Sequence, residues 1–385
     1  MKKGIFILGL FLVFCFVIFS TSSEEVTEEV EDRGIFVSYI ELANYLKGKG
    51  EDEGKKAITE MVSNVYDLGF NMILLQVRTF SDAIYESQVY PWSEVVSGQE
   101  GVSPGYDVLE TFLDVCHKKD IRLFAWINPY RIRGDEDISD ISEENPAYRY
   151  LNTDVVAVSG GVYYNPAKEE VRNLIVSGVE EIVKHYDVDG VLFDDYFYPN
   201  DEIDLADYEA YQKEHPDVSL SQFRLNQVND LIKRVYSVCH EYDVLFAVSP
   251  DGNIDNNYQS HYADVRLWGS EEGYVDYLMP QIYYGFYNET KAFTSVLDEW
   301  ESLASHVSLL PVLAFYKVGA VDTFAKSGSL EWMEHDDIIM REVILTRNIK
   351  QYQGFSLFRY DYLFNADLNT EMTSAEIKNM KKVLK

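Results

Sequence analysis

Apolar positions along the chain group into two alternating kinds of segment. The first kind is a short run rich in β-branched and aromatic residues. Such runs occupy residues 35–40, 71–77, 122–127, 190–196, 244–248, 275–284, 309–316 and 354–360. A strand covered on both faces reads as a run of this sort, without polar alternation. The second kind has helical spacing. In residues 55–68, Ile58, Met61, Val62 and Val65 fall on one face, and Gly69 closes the segment. In residues 168–185, Val171, Ile175, Val179 and Ile182 do the same. Residues 107–119, 221–242, 291–304 and 332–349 follow suit. Strands alternating with helices predict parallel strands joined by crossovers. Eight strand signals predict an α/β fold closed as a single (β/α)₈ TIM barrel. An open doubly wound sheet would carry a glycine-rich phosphate loop after an early strand. The stretch Val77-Arg78-Thr79-Phe80-Ser81-Asp82 has no glycine.

The ends of the chain change this picture. Lys2 and Lys3 precede an apolar run at residues 5–19, followed by Ser20, Thr21, Ser22 and Ser23. That order predicts a secretory leader over residues 1–23, or an anchor if it is not removed. The run is shorter than the ~20 apolar residues of a spanning helix. Residues 24–32 are mostly acidic and predict a tether. The barrel is expected over 33–370, with 371–385 as a tail. The expected location is therefore secreted, periplasmic or cell-surface, with membrane contact only through the leader.

Charge narrows the partners. The chain has 65 acidic and 33 basic residues, a formal net charge of -32. Phosphate binding needs clustered Lys or Arg, so nucleic acid is excluded as a partner and anionic lipid is repelled. Beyond the leader, Cys116 and Cys239 each sit in a Val-Cys-His stretch of a helical segment. They read as buried helix residues, and form neither a zinc motif nor a disulfide framework.

The chemistry of a barrel of this kind gathers at the C-terminal ends of its strands. Polar residues lie there in every case. The second strand leads to Arg78 and Asp82. The third contains Trp126 and leads to Asn128, Tyr130 and Arg131. Asp251 follows the fifth, Gln281, Tyr283 and Tyr284 lie on the sixth, Tyr316 ends the seventh and Arg359 the eighth. Aromatic faces stack on sugar rings, and amide or guanidinium groups hydrogen-bond hydroxyls. The sharpest signal is Asp194-Asp195-Tyr196, at the end of the apolar Val191-Leu192-Phe193. Side chains alternate along a strand, so one carboxylate faces the barrel axis and the other turns to a neighbouring element. Glycoside hydrolysis needs a general acid and a second carboxylate or its equivalent. Asp194 and Asp195 are the candidates. No His-x-His, His-Glu-x-x-His or Gly-x-Ser-x-Gly pattern is present, so neither a metal nor a serine nucleophile is predicted, and no cofactor.

Several stretches together carry a family resemblance. They include Tyr90-Pro91-Trp92-Ser93, Pro104-Gly105-Tyr106-Asp107, Ala125-Trp126-Ile127-Asn128-Pro129-Tyr130-Arg131, Tyr164-Asn165-Pro166-Ala167, Val188-Asp189-Gly190-Val191-Leu192-Phe193-Asp194-Asp195-Tyr196 and Pro280-Gln281-Ile282-Tyr283. In this order they resemble the glycosyl hydrolase-like 10 family of secreted bacterial barrels. The resemblance covers residue 33 to about residue 364. It implies a (β/α)₈ barrel that hydrolyses a polysaccharide, with cell-wall peptidoglycan strands or related N-acetylhexosamine polymers as the leading substrate. The fourth strand is also similar to that of chitinase-type barrels, with Asp194 on the last Asp of their Asp-Gly-x-Asp-x-Asp-x-Glu motif. Tyr283 resembles the Tyr that positions the substrate's N-acetyl group in those enzymes. Tyr196 stands where their acid Glu would be. That departure supports a rival reading, a glycan-binding barrel without catalysis.

Overall fold

The structure, a computed structural model, describes residues 30–199 and 202–384. The predicted leader and nearly all of the tether lie outside the described residues. From Asp32 onward the chain forms one compact unit.

Eight parallel strand positions follow one another in the order of the sequence. They are β1 (Asp32–Val37), β2 (Met72–Arg78), β3 (Arg122–Ile127), β4 (Gly190–Phe193) and β5 (Leu245–Val248). Then come β6 (Tyr277–Leu278 and Gln281–Ile282), β7 (Ser308–Leu309 and Val312–Leu313) and β8 (Gly354–Leu357). Each pairs with the next, and β8 pairs with β1, so the sheet closes. The first half of β6 pairs with the first half of β7, and the second half with the second. Pro280 and Pro311 fall at the two breaks. A proline has no N–H to donate to the ladder, which interrupts an otherwise continuous strand.

Eight helices cover the outside, one after each strand: α1 (Glu51–Asp67), α2 (Val108–His117), α3 (Glu169–His185), α4 (Leu220–Glu241), α5 (Val265–Ser270), α6 (Phe293–Leu303), α7 (Ile338–Thr346) and α8 (Glu371–Met380). On α1 the buried positions include Ile58, Met61, Val62 and Val65, the face that the spacing predicts. Asp107 caps α2 by accepting from the Glu110 N–H at 2.9 Å, and Ser219 caps α4 through the Gln222 N–H at 3.2 Å. Cys116 and Cys239 are free and buried in α2 and α4.

Several boundaries differ from expectation. The first strand stops at Val37 because Ser38 and Glu41 form a reciprocal capping box that starts a short helix, Tyr39–Leu46. The last strand stops at Leu357, and Tyr360–Phe364 turns into a short helix. Residues beyond 370 are not a tail. They form α8, and Met380 and Leu384 are buried in the outer core.

The core has two layers. Phe36, Met72, Leu74, Phe124, Trp126, Leu192, Met279 and Val312 fill the barrel interior. The alternate positions, such as Ile35, Ile73, Val191 and Phe193, pack outward against the helices. Gly190 is required by this packing. A Cβ there would lie 2.5 Å from the Phe124 ring.

Candidate active site

Asp194 follows Leu192 by two positions, and Leu192 fills the barrel interior. Alternation therefore turns Asp194 toward the axis. Its Oδ2 accepts from Trp126 Nε1 at 3.1 Å and from Asn128 Nδ2 at 3.2 Å. Its Oδ1 is buried and has no hydrogen-bond partner among the described residues. Burial disfavours the charged form, and the neighbouring charge of Asp195 adds to this. Together they push the Asp194 carboxyl up to about 7, against the Arg131 charge and the Trp126 hydrogen bond.

Asp195 turns toward the loops after β5 and β6. Burial raises its pKa, and the Asp251 charge raises it further. His261 and a hydrogen bond with Gln281 oppose the rise. Asp251 is held in place by its neighbours. Its Oδ1 accepts from the Asn253 N–H at 2.7 Å, and its Oδ2 from Asn256 Nδ2 at 2.6 Å. His261 ends a π-helical turn, Asn257–His261, and the next residue, Tyr262, has a positive φ of 52°. Such turns interrupt α-helices at functional sites. Arg224 holds this one, donating to the Tyr262 hydroxyl at 2.6 Å while its guanidinium pairs with buried Asp204.

Arg131 and the tyrosines form the walls. The Arg131 guanidinium lies over Phe80 at 5.0 Å, Tyr196 at 5.6 Å and Tyr39 at 5.9 Å. Tyr283 meets Tyr316 edge-on at 5.4 Å. Tyr284 packs over Gly252, where a Cβ would lie 3.1 Å from its ring. Asp194, Asp195, Trp126, Asn128, Arg131, Tyr196, Asp251, Gln281, Tyr283, Tyr284 and Tyr316 thus gather at the C-terminal mouth.

Other expected sugar-holding residues are engaged elsewhere. Arg78 is buried, donating to the Tyr90 hydroxyl and to the Pro129 carbonyl at 3.2 Å. Tyr130 is fully buried in the outer core. Arg359 pairs with Glu41, whose carboxylate is also fully buried. These three are corrected to structural roles: the guanidinium groups of Arg78 and Arg359 are paired inside the protein, and the Tyr130 side chain is packed away in the outer core, its hydroxyl buried without a partner among the described residues. Asp82 is buried as well, accepting from the Phe80 N–H at 3.2 Å, and is pushed up to about 7 by burial. It lines a cavity of about 110 Å³ with Glu94, Glu100 and Arg133, between the loops after β2 and β3.

His261 and Glu41 escaped the sequence reading. Glu41 had a legible signal, since Ser38-x-x-Glu41 is a capping-box pattern. His261 had none. Asp195, Asp251 and His261 bring possible metal-ligand atoms within 4.8 Å of one another. Protein donors already engage part of this cluster: Asn256 Nδ2 lies 3.1 Å from His261 Nε2 as well as on Asp251.

A family model described as "Glycosyl hydrolase-like 10" matches residues 31–329. The chain belongs to that family. It is 32% identical over 333 residues to "Glycosyl hydrolase YngK" of Bacillus subtilis (strain 168), covering 80% of this chain and 63% of the relative. The chain thus spans rather less than two thirds of that protein. To "Glycosyl hydrolase DigH" of Escherichia coli (strain K12) it is 32% identical over 339 residues, covering 80% of this chain and 76% of the relative. Among solved structures, the PgaB (BpsB) glycoside hydrolase domain from Bordetella bronchiseptica superposes with a TM-score of 0.56. The match has 11% identity and covers 91% of this chain and 99% of that one. A β-amylase catalytic domain from Paenibacillus polymyxa gives 0.52 at 10% identity, over 92% and 98% of the two chains. At such identities the superpositions speak to the fold alone, a (β/α)₈ barrel.

Proposed function

We propose that this family member is an exported glycoside hydrolase acting on cell-wall glycan strands or a related N-acetylhexosamine polymer. Asp194 is the proton donor and Asp195 the second carboxylate. The observation that carries the reading is the state of Asp194. Its carboxyl is pushed up to about 7 at the barrel mouth, in spite of the Tyr196 backbone N–H and Trp126, and its Oδ1 has no side-chain partner among the described residues. An acid with that pKa holds its proton near neutral pH and can still give it up. Asp194 passes its proton to the glycosidic oxygen as the C–O bond breaks, and water then adds to the anomeric carbon and gives up a proton that restores the Asp194 acid. Asp195, supported by His261 and Gln281, stabilises the positive charge that develops on the sugar ring. The neighbouring tyrosines and Arg131 hold the sugars. This chemistry asks for no metal or organic cofactor. The names of the relatives support hydrolysis. The basic start and apolar run at residues 5–19 support export, and no described helix is long and apolar enough to cross a membrane.

The test is digestion of peptide-free glycan strands, strands with stem peptides, and chitin oligomers, read by mass spectrometry beside Asp194→Asn and Asp195→Asn. Released oligosaccharides that vanish in either variant support the reading. Tyr196 favours one alternative, since chitinase-type barrels carry their acid Glu at that position. Glycan binding without product from the wild type would make the chain a binding barrel.

A further inference from the structure

The three most exposed Phe, Tyr or Trp side chains among the described residues are Phe324 (85%), Tyr287 (57%) and Tyr196 (52%). All three lie at the C-terminal end of the barrel, on the loops after β7, β6 and β4. Tyr196 adjoins the carboxylate pair. We propose that Tyr287 and Phe324 are stacking faces of remote subsites that bind a long glycan chain beyond the cleavage point. This rests on the glycan reading above and extends it to a polymer of several sugars.

The two loops are built rigidly around these rings. Glu331, itself buried, accepts from the Phe286 N–H at 3.0 Å and the Tyr287 N–H at 2.8 Å. Buried Asp322 accepts from the Phe324 N–H at 3.1 Å and from Lys317 Nζ at 2.7 Å. The same Lys317 nitrogen donates to the Tyr283 carbonyl at 2.8 Å, which ties the outer loop to the wall of the site. The loops also touch directly: the Glu289 N–H donates to the Ala325 carbonyl at 3.3 Å, and Ser327 Oγ to Glu289 at 2.8 Å. A backbone held this firmly does not let the rings collapse out of water. An exposed ring on a fixed support is a preorganised contact.

Charge selects the occupant. Lys317 is paired with Asp322, and Lys326 lies 3.8 Å from Glu289, so the cations of this rim are matched by anions. With a net charge of -32 on the whole chain, an anionic lipid surface is a poor partner. The C–H faces of neutral pyranose rings are a good one. Continuity points the same way, since Tyr283, Tyr284, Phe286 and Tyr287 run from the inner wall to the rim along one loop.

The test uses the full-chain protein and calorimetric titration with the dimer and hexamer of N-acetylglucosamine and with peptide-free glycan strands. The wild type is compared with a Tyr287→Ser/Phe324→Ser double variant. Tyr66→Ser, an exposed ring on α1, is the control. Unchanged thermal midpoints establish that the variants fold. The hexamer is expected to bind the wild type about tenfold tighter than the dimer, roughly 1.4 kcal/mol. The double variant should lose that margin and the control keep it. A margin that is absent, or unchanged in the double variant, overturns the subsites. So does capture of phosphatidylcholine vesicles, or self-association, that the double variant abolishes without any chain-length effect. Product release separates the two readings. Chain-length binding without products keeps the subsites and removes the hydrolase. Products with an unchanged margin do the reverse.

Discussion

Buried carboxyl groups occur in two regions of this molecule, and they are buried in different ways. At the barrel mouth, Asp194 has two donors on one oxygen and none on the other. At the seam between α7 and α8, Glu342 has no partner on either oxygen among the described residues. Glu376 accepts from the Met340 N–H at 3.0 Å and leaves its second oxygen unpaired. Burial raises all three, and Glu376, like Asp194, reaches about 7. A raised carboxyl therefore does not by itself mark a catalytic site. What separates the regions is surroundings. Both regions hold a second acid and an arginine, but the mouth adds a histidine and aromatic walls at the end of a parallel barrel. The seam is sealed by helices.

Four variants test this contrast. The largest effect is expected for Asp194→Asn. Loss of a general acid lowers turnover roughly 10²–10⁴-fold, and unchanged turnover would remove the mouth from consideration. Asp194 is raised, so the stability linked to its protonation is fully present below its ordinary pKa and fades as pH climbs through about 7. Asp194→Asn should accordingly raise the thermal midpoint at pH 8 more than at pH 5.

Next comes Arg359→Ala. Removing the cation strands fully buried Glu41, at a cost of about 3 kcal/mol in denaturant unfolding. Glycan affinity per folded molecule should stay constant. Weaker binding at unchanged stability would return Arg359 to the substrate.

At the seam, Glu342→Gln/Glu376→Gln should leave turnover alone and flatten the pH dependence of stability. Both groups are raised, so the wild type loses stability from about pH 5 upward, through about 7 for Glu376. The gap at pH 8 is expected to be on the order of 1–3 kcal/mol. Parallel curves would mean that these carboxyls have no raised pKa.

The smallest change is expected for His261→Gln. Its charge opposes the rise at Asp195, so removal raises Asp195 further and moves the acid limb of the activity profile to higher pH. A limb that stays in place, with lower turnover, would limit His261 to shaping the loop.

The fold was legible because eight apolar runs separated by helical spacing leave few other topologies. Its exact edges were less so. Pro280 and Pro311 stand within the predicted sixth and seventh strands, and each splits its strand, because ladder donors matter more than apolar continuity. The tail was misjudged because α8 is mostly polar and only positions such as Thr373, Glu376 and Met380 are buried. At the site, alternation was enough to send Asp194 and Asp195 different ways. Arg78 and Arg359 were misread because proximity to a strand end says nothing of pairing, and their partners Tyr90, Pro129 and Glu41 are distant in sequence or bonded through the backbone; Tyr130 was misread because nothing local shows its ring turned into the outer core. His261 could not be read locally, since a turn held by Arg224 some 40 residues upstream presents it.

The pairing of β8 with β1 also orders events in time. The Asp32 N–H donates to the Gln353 carbonyl at 3.0 Å, and Arg33 reaches the Leu384 carbonyl at 2.6 Å. A growing chain thus keeps the outer edge of its first strand unpaired until its last strand has been made. Contacts spanning the whole sequence are slow to form. Nascent chains that stop before Gly354 should remain open to protease, and completion of β8 and α8 is the step that closes the barrel.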